Sequence, residues 1–172
     1  MREWENFYII IGSAAAALTG LQFVAVALMS DLRRQATDSD IGAFGTPTIV
    51  HFGAVILLSA LASAPWPTKL SVATAFATCG GAGVVYMLVI RRRAHRANYD
   101  PVTEDWIWHV ILPLVAYAAL FAAAVGLVRG GTIPLFVIAG SSLLLLFIGI
   151  HNTWDAVTWM LVEAGNRAPK RE

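Results

Sequence analysis

Long apolar runs separated by short polar segments are the main pattern along this chain. Five runs approach the length of about 20 residues that a helix needs to cross a hydrocarbon core about 30 Å thick. Because lipid offers the backbone no hydrogen bonds, we expect each crossing to be a helix that satisfies its own. The pattern predicts an all-α integral membrane protein, a five-transmembrane-helix bundle. One membrane domain covers 1–172, with helices at approximately 7–29, 47–64, 70–90, 106–128 and 133–152.

Proline marks the predicted starts of two helices. Thr46 precedes Pro47, and Asp100 precedes Pro101, so each pair places a capping side chain before a proline at the first helical position. The segment 30–46 is then the longest connection, and it mixes acidic with basic residues. We expect this segment to be the most flexible loop of the protein.

Two other connections are short. Prolines bracket the tryptophan in 65–67, and 129–132 contains two adjacent glycines. Such tight turns predict antiparallel hairpins of helices two and three and of helices four and five. The apolar pattern of the fifth helix continues to about residue 163, which exceeds one crossing. That helix either projects into the cytoplasm or bends near Gly149 and lies along the interface.

Basic residues lie unevenly on the two sides of this predicted topology. Loops rich in lysine and arginine stay in the cytoplasm, so the N-terminus is expected outside and the C-terminus in the cytoplasm. Tryptophan and tyrosine mark both interfaces. The outer side carries Arg2, Lys69 and Arg129, whereas the inner side carries Arg33, Arg34, Arg91, Arg92, Arg93, Arg96, Arg167, Lys170 and Arg171.

Composition supports the membrane class. The chain is 58% hydrophobic and 13% charged, with a mean hydropathy of +0.66, which excludes an ordinary soluble domain. We expect a multi-pass protein of a bacterial inner membrane, surrounded by lipid, and we expect no nucleic-acid partner. The single cysteine, Cys79, cannot form an intrachain disulfide.

Small residues predict where helices approach closely. Gly12, Ala16 and Gly20 recur at four-residue spacing in the first helix, and Gln22 lies on an adjoining face. The partner of this stripe is either another helix of the chain or a second subunit, and we expect a homo-oligomer. The glycine-rich stretch 79–83 predicts a crossing point or a bend in the third helix. The segment 12–28 resembles the opening helix of small bacterial membrane proteins, a resemblance of composition that implies no function.

Three histidines are predicted at the cytoplasmic end of the bundle. His51 and His109 lie about one turn inside the starts of helices two and four, and His151 lies at the end of helix five. Asp105 precedes His109 by one turn and Asp155 follows His151 by one turn, so each pair shares a helical face. Neutral imidazoles suit transition metals, and a nearby carboxylate can ligate or orient a histidine. The pattern predicts a site for a metal ion.

Other readings of these residues remain open. Two of the histidines could be the axial ligands of a haem in the inner leaflet. All three could instead be structural, because interfacial histidines reach water and acids such as Asp105 favour the start of a helix. In that case His151 and Asp155 simply bond to each other.

The motifs of several function classes are missing from the sequence. It contains no nucleophile elbow, HExxH helix or dinucleotide fingerprint, and no ionisable residue lies near the predicted midplane. A transporter built from one subunit is therefore disfavoured. We expect a small self-associating membrane protein with a metal- or ligand-binding polar cluster at the cytoplasmic leaflet. The alternatives are an oligomeric ion or solute channel, a membrane-embedded metalloenzyme, and an accessory subunit bound to a membrane protein partner.

Overall fold

Helix makes up nearly all of the protein that the computed structural model describes, which is residues 4–32, 38–94 and 103–167. No strand occurs within these ranges. Helix α4 combines a first turn at Thr103–Trp106, a π-helical turn at Ile107–Ile111 and the regular helix Leu112–Leu127. The other helices are α1 (Glu5–Leu32), α2 (Asp38–Ser63), α3 (Lys69–Ala94) and α5 (Ile133–Arg167).

Four to five of these helices are suited to a membrane, which confirms the predicted class. The spans Glu5–Ala27, Lys69–Arg92, Ile107–Leu127 and Ile133–Thr158 are long and apolar enough to cross it, and α2 adds the shorter apolar stretch Thr48–Ser63. Large apolar side chains also point away from the bundle, as membrane lipid allows and water does not.

The helices α2 and α5 lie at the centre of the bundle. Helix α1 packs along α2, α5 packs against both α2 and α4, and α3 packs along α4. The predicted hairpin of helices four and five is confirmed. The predicted hairpin of helices two and three is wrong, because α3 touches α2 only slightly. A short connection brings two helix ends together but does not fix which faces pack.

Glycines determine the contact between α3 and α4. A Cβ atom added at Gly80 would lie 2.7 Å from the backbone nitrogen of Phe121 and 2.9 Å from its Cα, so the two backbones are in direct contact. The ring of Tyr117 covers Gly83 in the same way. The predicted crossing point in the glycine-rich stretch is therefore confirmed. Such close approach strengthens van der Waals packing, which drives helix association in lipid.

The small-residue stripe of α1 divides between two faces. Gly12 packs against α2, where a Cβ atom added to it would lie 2.8 Å from the Cβ of Ser59. Gln22 is also buried. Ala16 and Gly20 instead are exposed, and nothing lies within 4 Å of a Cβ added at Gly20. The inward partner of the stripe is thus α2, and self-association through Ala16 and Gly20 stays a prediction.

The described residues of the segment 30–46 are helical, so its prediction as a loop is wrong outside 33–37. Helix α1 continues to Leu32 and α2 begins at Asp38, so Pro47 lies inside α2 and is not its first residue. Acidic residues at positions 38 and 40 suit the positive end of a helix, and the proline signal hid this earlier start. The predicted start at Asp100–Pro101 lies outside the described residues. Helix α5 runs without a break through Gly149.

Both short connections form the tight turns expected from their residues. The indole nitrogen of Trp66 donates a hydrogen bond to the carbonyl of Leu61 at 2.6 Å, which ties the turn back onto α2. Between α4 and α5, Gly130 and Gly131 adopt φ angles of 88° and 100°. This left-handed region is costly for residues with a Cβ atom, so the glycine pair allows the chain to reverse there.

Substitution of neighbouring glycines in α3 tests the contact with α4. We expect Gly80→Ala to lower the free energy of unfolding by about 1–3 kcal/mol, because its methyl group meets the backbone of Phe121. Gly81→Ala is the matched control, since its Cβ atom would lie 3.6 Å from the Phe121 ring, an ordinary contact. Unfolding in detergent by heat or denaturant measures both. Equal stability of the two variants would contradict the proposed contact.

Candidate ligand site at the histidine end of the bundle

Buried polar side chains gather where the apolar stretches of α2 and α4 begin and that of α5 ends, a region that we call the histidine end. His51 on α2 is 0% exposed, and Asn152 on α5 is 1% exposed. The neighbouring residues Phe52 and Gly149 pack directly against each other. His51 and Asn152 lie within about one helical turn of that contact, so they share nearly the same depth between the two central helices.

Tyr117 links α4 to His51. Its hydroxyl lies 3.1 Å from the Nδ1 atom of His51, and both side chains are buried. The other ring nitrogen, Nε2, has no hydrogen-bond partner among the described residues. A neutral imidazole has one donor and one acceptor nitrogen. If Nδ1 accepts from the Tyr117 hydroxyl, Nε2 is a donor, and if Nδ1 donates to that hydroxyl, Nε2 is an acceptor. His51 therefore offers one unused donor or acceptor inside the bundle.

Asn152 offers further unused hydrogen-bonding groups. Its side-chain nitrogen and oxygen are both buried, and neither has a partner among the described residues. An amide carries two donors and one acceptor, and leaving a buried polar group unpaired costs about 1–3 kcal/mol. Together with His51 Nε2, this side chain gives the histidine end a pair of polar groups that need a partner.

Gln22 reaches the same depth from α1. The contact between Gly12 and Ser59 gives a common reference level for α1 and α2. Gln22 lies roughly 15 Å from that level along α1, and Thr48 lies roughly the same distance from it along α2. Because α1 and α2 are antiparallel neighbours, Gln22 and Thr48 occupy the same level. Gln22 is 7% exposed, and its Oε1 atom has no hydrogen-bond partner among the described residues. The prediction of an interhelical hydrogen bond for Gln22 thus remains untested.

A π-helical turn shapes the α4 side of the site. It covers Ile107–Ile111 and presents Trp108 and His109. Pro113 follows this turn, and a proline has no N–H to donate to the carbonyl of His109 and clashes with it in a regular helix. The wider turn accommodates that clash. Wide turns of this kind occur often at functional sites, and Pro113 is the sequence signal for this one.

His151 belongs to a second polar group. Its ring stacks on that of Trp108 with the centroids 3.8 Å apart and the planes 7° from parallel. Its Nδ1 atom lies 3.0 Å from Oδ2 of Asp155, although the two atoms do not meet the geometry of a hydrogen bond. One face and one nitrogen of His151 are therefore occupied by protein groups.

The predicted metal ligands are only partly brought together. His51 contacts Tyr117, whereas His151 stacks on Trp108 and pairs with Asp155. The side chain of Asp105 lies outside the described part of the chain. Among the side chains that are described, no three histidine, cysteine, aspartate or glutamate groups converge as a metal ion requires. The structure gives no support to a metal centre or haem at this end.

Sequence reasoning found the correct end of the bundle but missed several residues of the site. Tyr117 lies in an apolar stretch and reads as a packing aromatic. Trp108 reads as part of the aromatic belt, although it stacks on His151. Asn152 directly follows His151 in the sequence, yet it is the more deeply buried of the two. Helix rotation decides each of these roles, and the hydropathy pattern does not specify it.

A substitution of Tyr117 tests its hydrogen bond to His51. Tyr117→Phe keeps the ring and removes the hydroxyl, so we expect it to lower the free energy of unfolding by about 1–3 kcal/mol because buried Nδ1 loses its partner. In a His51→Leu background the same change should cost much less or stabilise the protein. Denaturant unfolding of the four proteins measures the coupling. An equal cost in both backgrounds would contradict the bond.

Comparison with known proteins adds no assignment to this geometry. Any function must therefore be argued from the contacts described above. The chain matches no protein-family model, no curated protein and no solved structure.

Proposed function

We propose that this protein is a multi-pass membrane protein that binds a small polar ligand at the histidine end of its bundle. The observation that carries the proposal is the set of fully buried groups that have no hydrogen-bond partner among the described residues, His51 Nε2 and the amide of Asn152. They lie on the two central helices at nearly the same depth. A ligand held between them would satisfy both.

The bundle would gain stability if apolar side chains replaced these unpaired polar groups. A leucine at either position would remove an unpaired polar group from the protein interior, and each such group costs about 1–3 kcal/mol. Membrane bundles can fill such positions with apolar residues at no loss of helix formation. A bundle that keeps the imidazole and the amide is better explained by a partner that binds them.

The polar groups also indicate the chemistry of the ligand. The Asn152 amide donates and accepts hydrogen bonds, and His51 Nε2 does one or the other. Asp155, the described carboxylate nearest to them in sequence, contacts His151. A neutral molecule with a hydroxyl or carbonyl group suits this set better than an ion. Because both groups are almost fully buried, the ligand must be small.

Self-association is a second part of the proposal. Ala16 and Gly20 are exposed on the outward face of α1, where a helix of another subunit would meet no large side chain at these positions. The channel, the metalloenzyme and the accessory subunit have no comparable observation in their favour.

Small-molecule and elemental analysis of gently purified protein tests ligand binding. We expect a compound at nearly one equivalent in the wild type, absent from His51→Leu and from Asn152→Leu because each loses one of the groups that hold it. Thr153→Val is the matched control, because the hydroxyl of Thr153 already donates to the Gly149 carbonyl at 2.8 Å within α5. This control should retain the compound.

The same extracts separate the remaining outcomes. A metal at one equivalent that His51→Leu and His109→Ala both lose would identify the ligand as a metal ion and revive the histidine site. The proposal would be overturned by two results together. The wild-type protein would contain neither a compound nor a metal, and Asn152→Leu would fold with higher stability. The polar groups would then be structural.

The proposed orientation places the histidine end in the cytoplasm of a bacterial cell. It rests on the uneven distribution of lysine and arginine along the sequence. Single cysteines test it after Cys79→Ala removes the native thiol. Thr132→Cys in the α4–α5 turn should react with a membrane-impermeant maleimide on intact spheroplasts, whereas Glu104→Cys at the start of α4 should react only after lysis. Both positions are exposed. The reverse pattern would show the opposite orientation.

A further inference from the structure

An apolar groove lies between α3 and α4 at the end of the bundle opposite the histidines. Its cavity volume is about 370 Å³, which falls in the range of small-molecule sites. On α3 its lining runs from Leu70 to Ala77, a length of roughly 10 Å along the helix axis. On α4 it runs from Ala124 to Arg129.

Small residues form the floor of this groove and larger ones its rim. Ala73 is 2% exposed and Ala124 is 0% exposed, so the groove is deepest where both helices carry a methyl group. Leu70 and Val128 are 62% and 52% exposed and stand on either side. The hydroxyl of Thr74 donates to the Leu70 carbonyl at 2.8 Å, so this residue needs no polar partner from an occupant. The groove is therefore shaped for an apolar chain.

Positive charge lies at the mouth of the groove. Arg129 lines it and is exposed, and Lys69 directly precedes the lining residue Leu70 and is also exposed. No aspartate or glutamate occurs in the sequence segments 64–72 and 124–136 that surround this mouth. Glu5, the described acidic residue near this end, belongs to α1, which packs on α2 and less extensively on α5. The mouth is thus electrostatically complementary to an anion.

We propose that this groove binds one anionic phospholipid, with an acyl chain against Ala73 and Ala124 and the phosphate beside Arg129 and Lys69. An apolar furrow continuous with the membrane and a basic pair at its interfacial end match the two parts of such a lipid. The site is independent of the ligand site at the histidine end, because it uses different helix faces and a different chemistry.

Lipid binding by native mass spectrometry tests this proposal. Detergent-solubilised protein is titrated with phosphatidylglycerol or with phosphatidylcholine of identical acyl chains. We expect one lipid to remain bound at high collision energy, with a preference for phosphatidylglycerol. Replacement of both Lys69 and Arg129 by glutamine should reduce that preference by about five-fold for each charge removed. Ala77→Leu, which fills the groove, should weaken binding of both lipids.

Two control variants distinguish lipid binding in the groove from general attraction of lipid to basic or apolar surface. Arg91→Gln with Arg92→Gln removes two exposed charges at the histidine end and should leave the retained lipid in place. Ala122→Leu adds the same bulk as Ala77→Leu on an exposed part of α4 outside the groove and should leave affinity unchanged. Ala77→Val provides a milder filling if Ala77→Leu does not fold. Wild-type affinity in the folded Ala77 variant, or a preference that survives loss of Lys69 and Arg129, would overturn the proposal.

Discussion

Helices that lie in lipid cannot be held together by burial of apolar surface, because the surrounding acyl chains are as apolar as their side chains. This bundle is held instead by contacts in which a glycine lets a neighbour approach closely. Gly12 receives Ser59, Gly80 meets the backbone of Phe121, and Gly149 receives the ring of Phe52. These contacts join α1 to α2, α3 to α4 and α2 to α5. Close packing at a few glycines therefore sets the order of the helices around the bundle.

The same constraint explains why polar groups inside the bundle carry information. Most described hydroxyls satisfy themselves within their own helix, as Ser142 does by donating to the Ile138 carbonyl at 2.9 Å. The side-chain amide of Asn152 and the Nε2 atom of His51 make no such local bond. A hydrogen bond with the Tyr117 hydroxyl satisfies one of the two ring nitrogens of His51. The unsatisfied groups of His51 and Asn152 lie at nearly the same depth, which is the physical basis for a ligand site there.

The sequence predicts the helices of this protein well and their contacts poorly. Apolar length alone locates five helices, since α1 and α3 to α5 match the predicted spans and α2 only starts earlier. Depth is only partly predictable, since α2 begins at Asp38 and His51 therefore lies well inside its helix and not about one turn from the start. Rotation about the helix axis is not predictable, because membrane helices carry apolar residues on inward and outward faces alike. That is why His151 turns to Trp108 and Asp155, and why the small-residue stripe of α1 splits between Gly12 and Gly20.

Packing and the candidate ligand site are joined through one residue, Tyr117. Its ring lies directly on the backbone of Gly83, and its hydroxyl holds the imidazole of His51. A side chain at position 83 would displace the ring and move the hydroxyl, although it would touch neither His51 nor Asn152. The glycines of α3 thus do more than bring two helices together. They fix the phenol that orients the histidine on α2, so α3 supports the site through its packing.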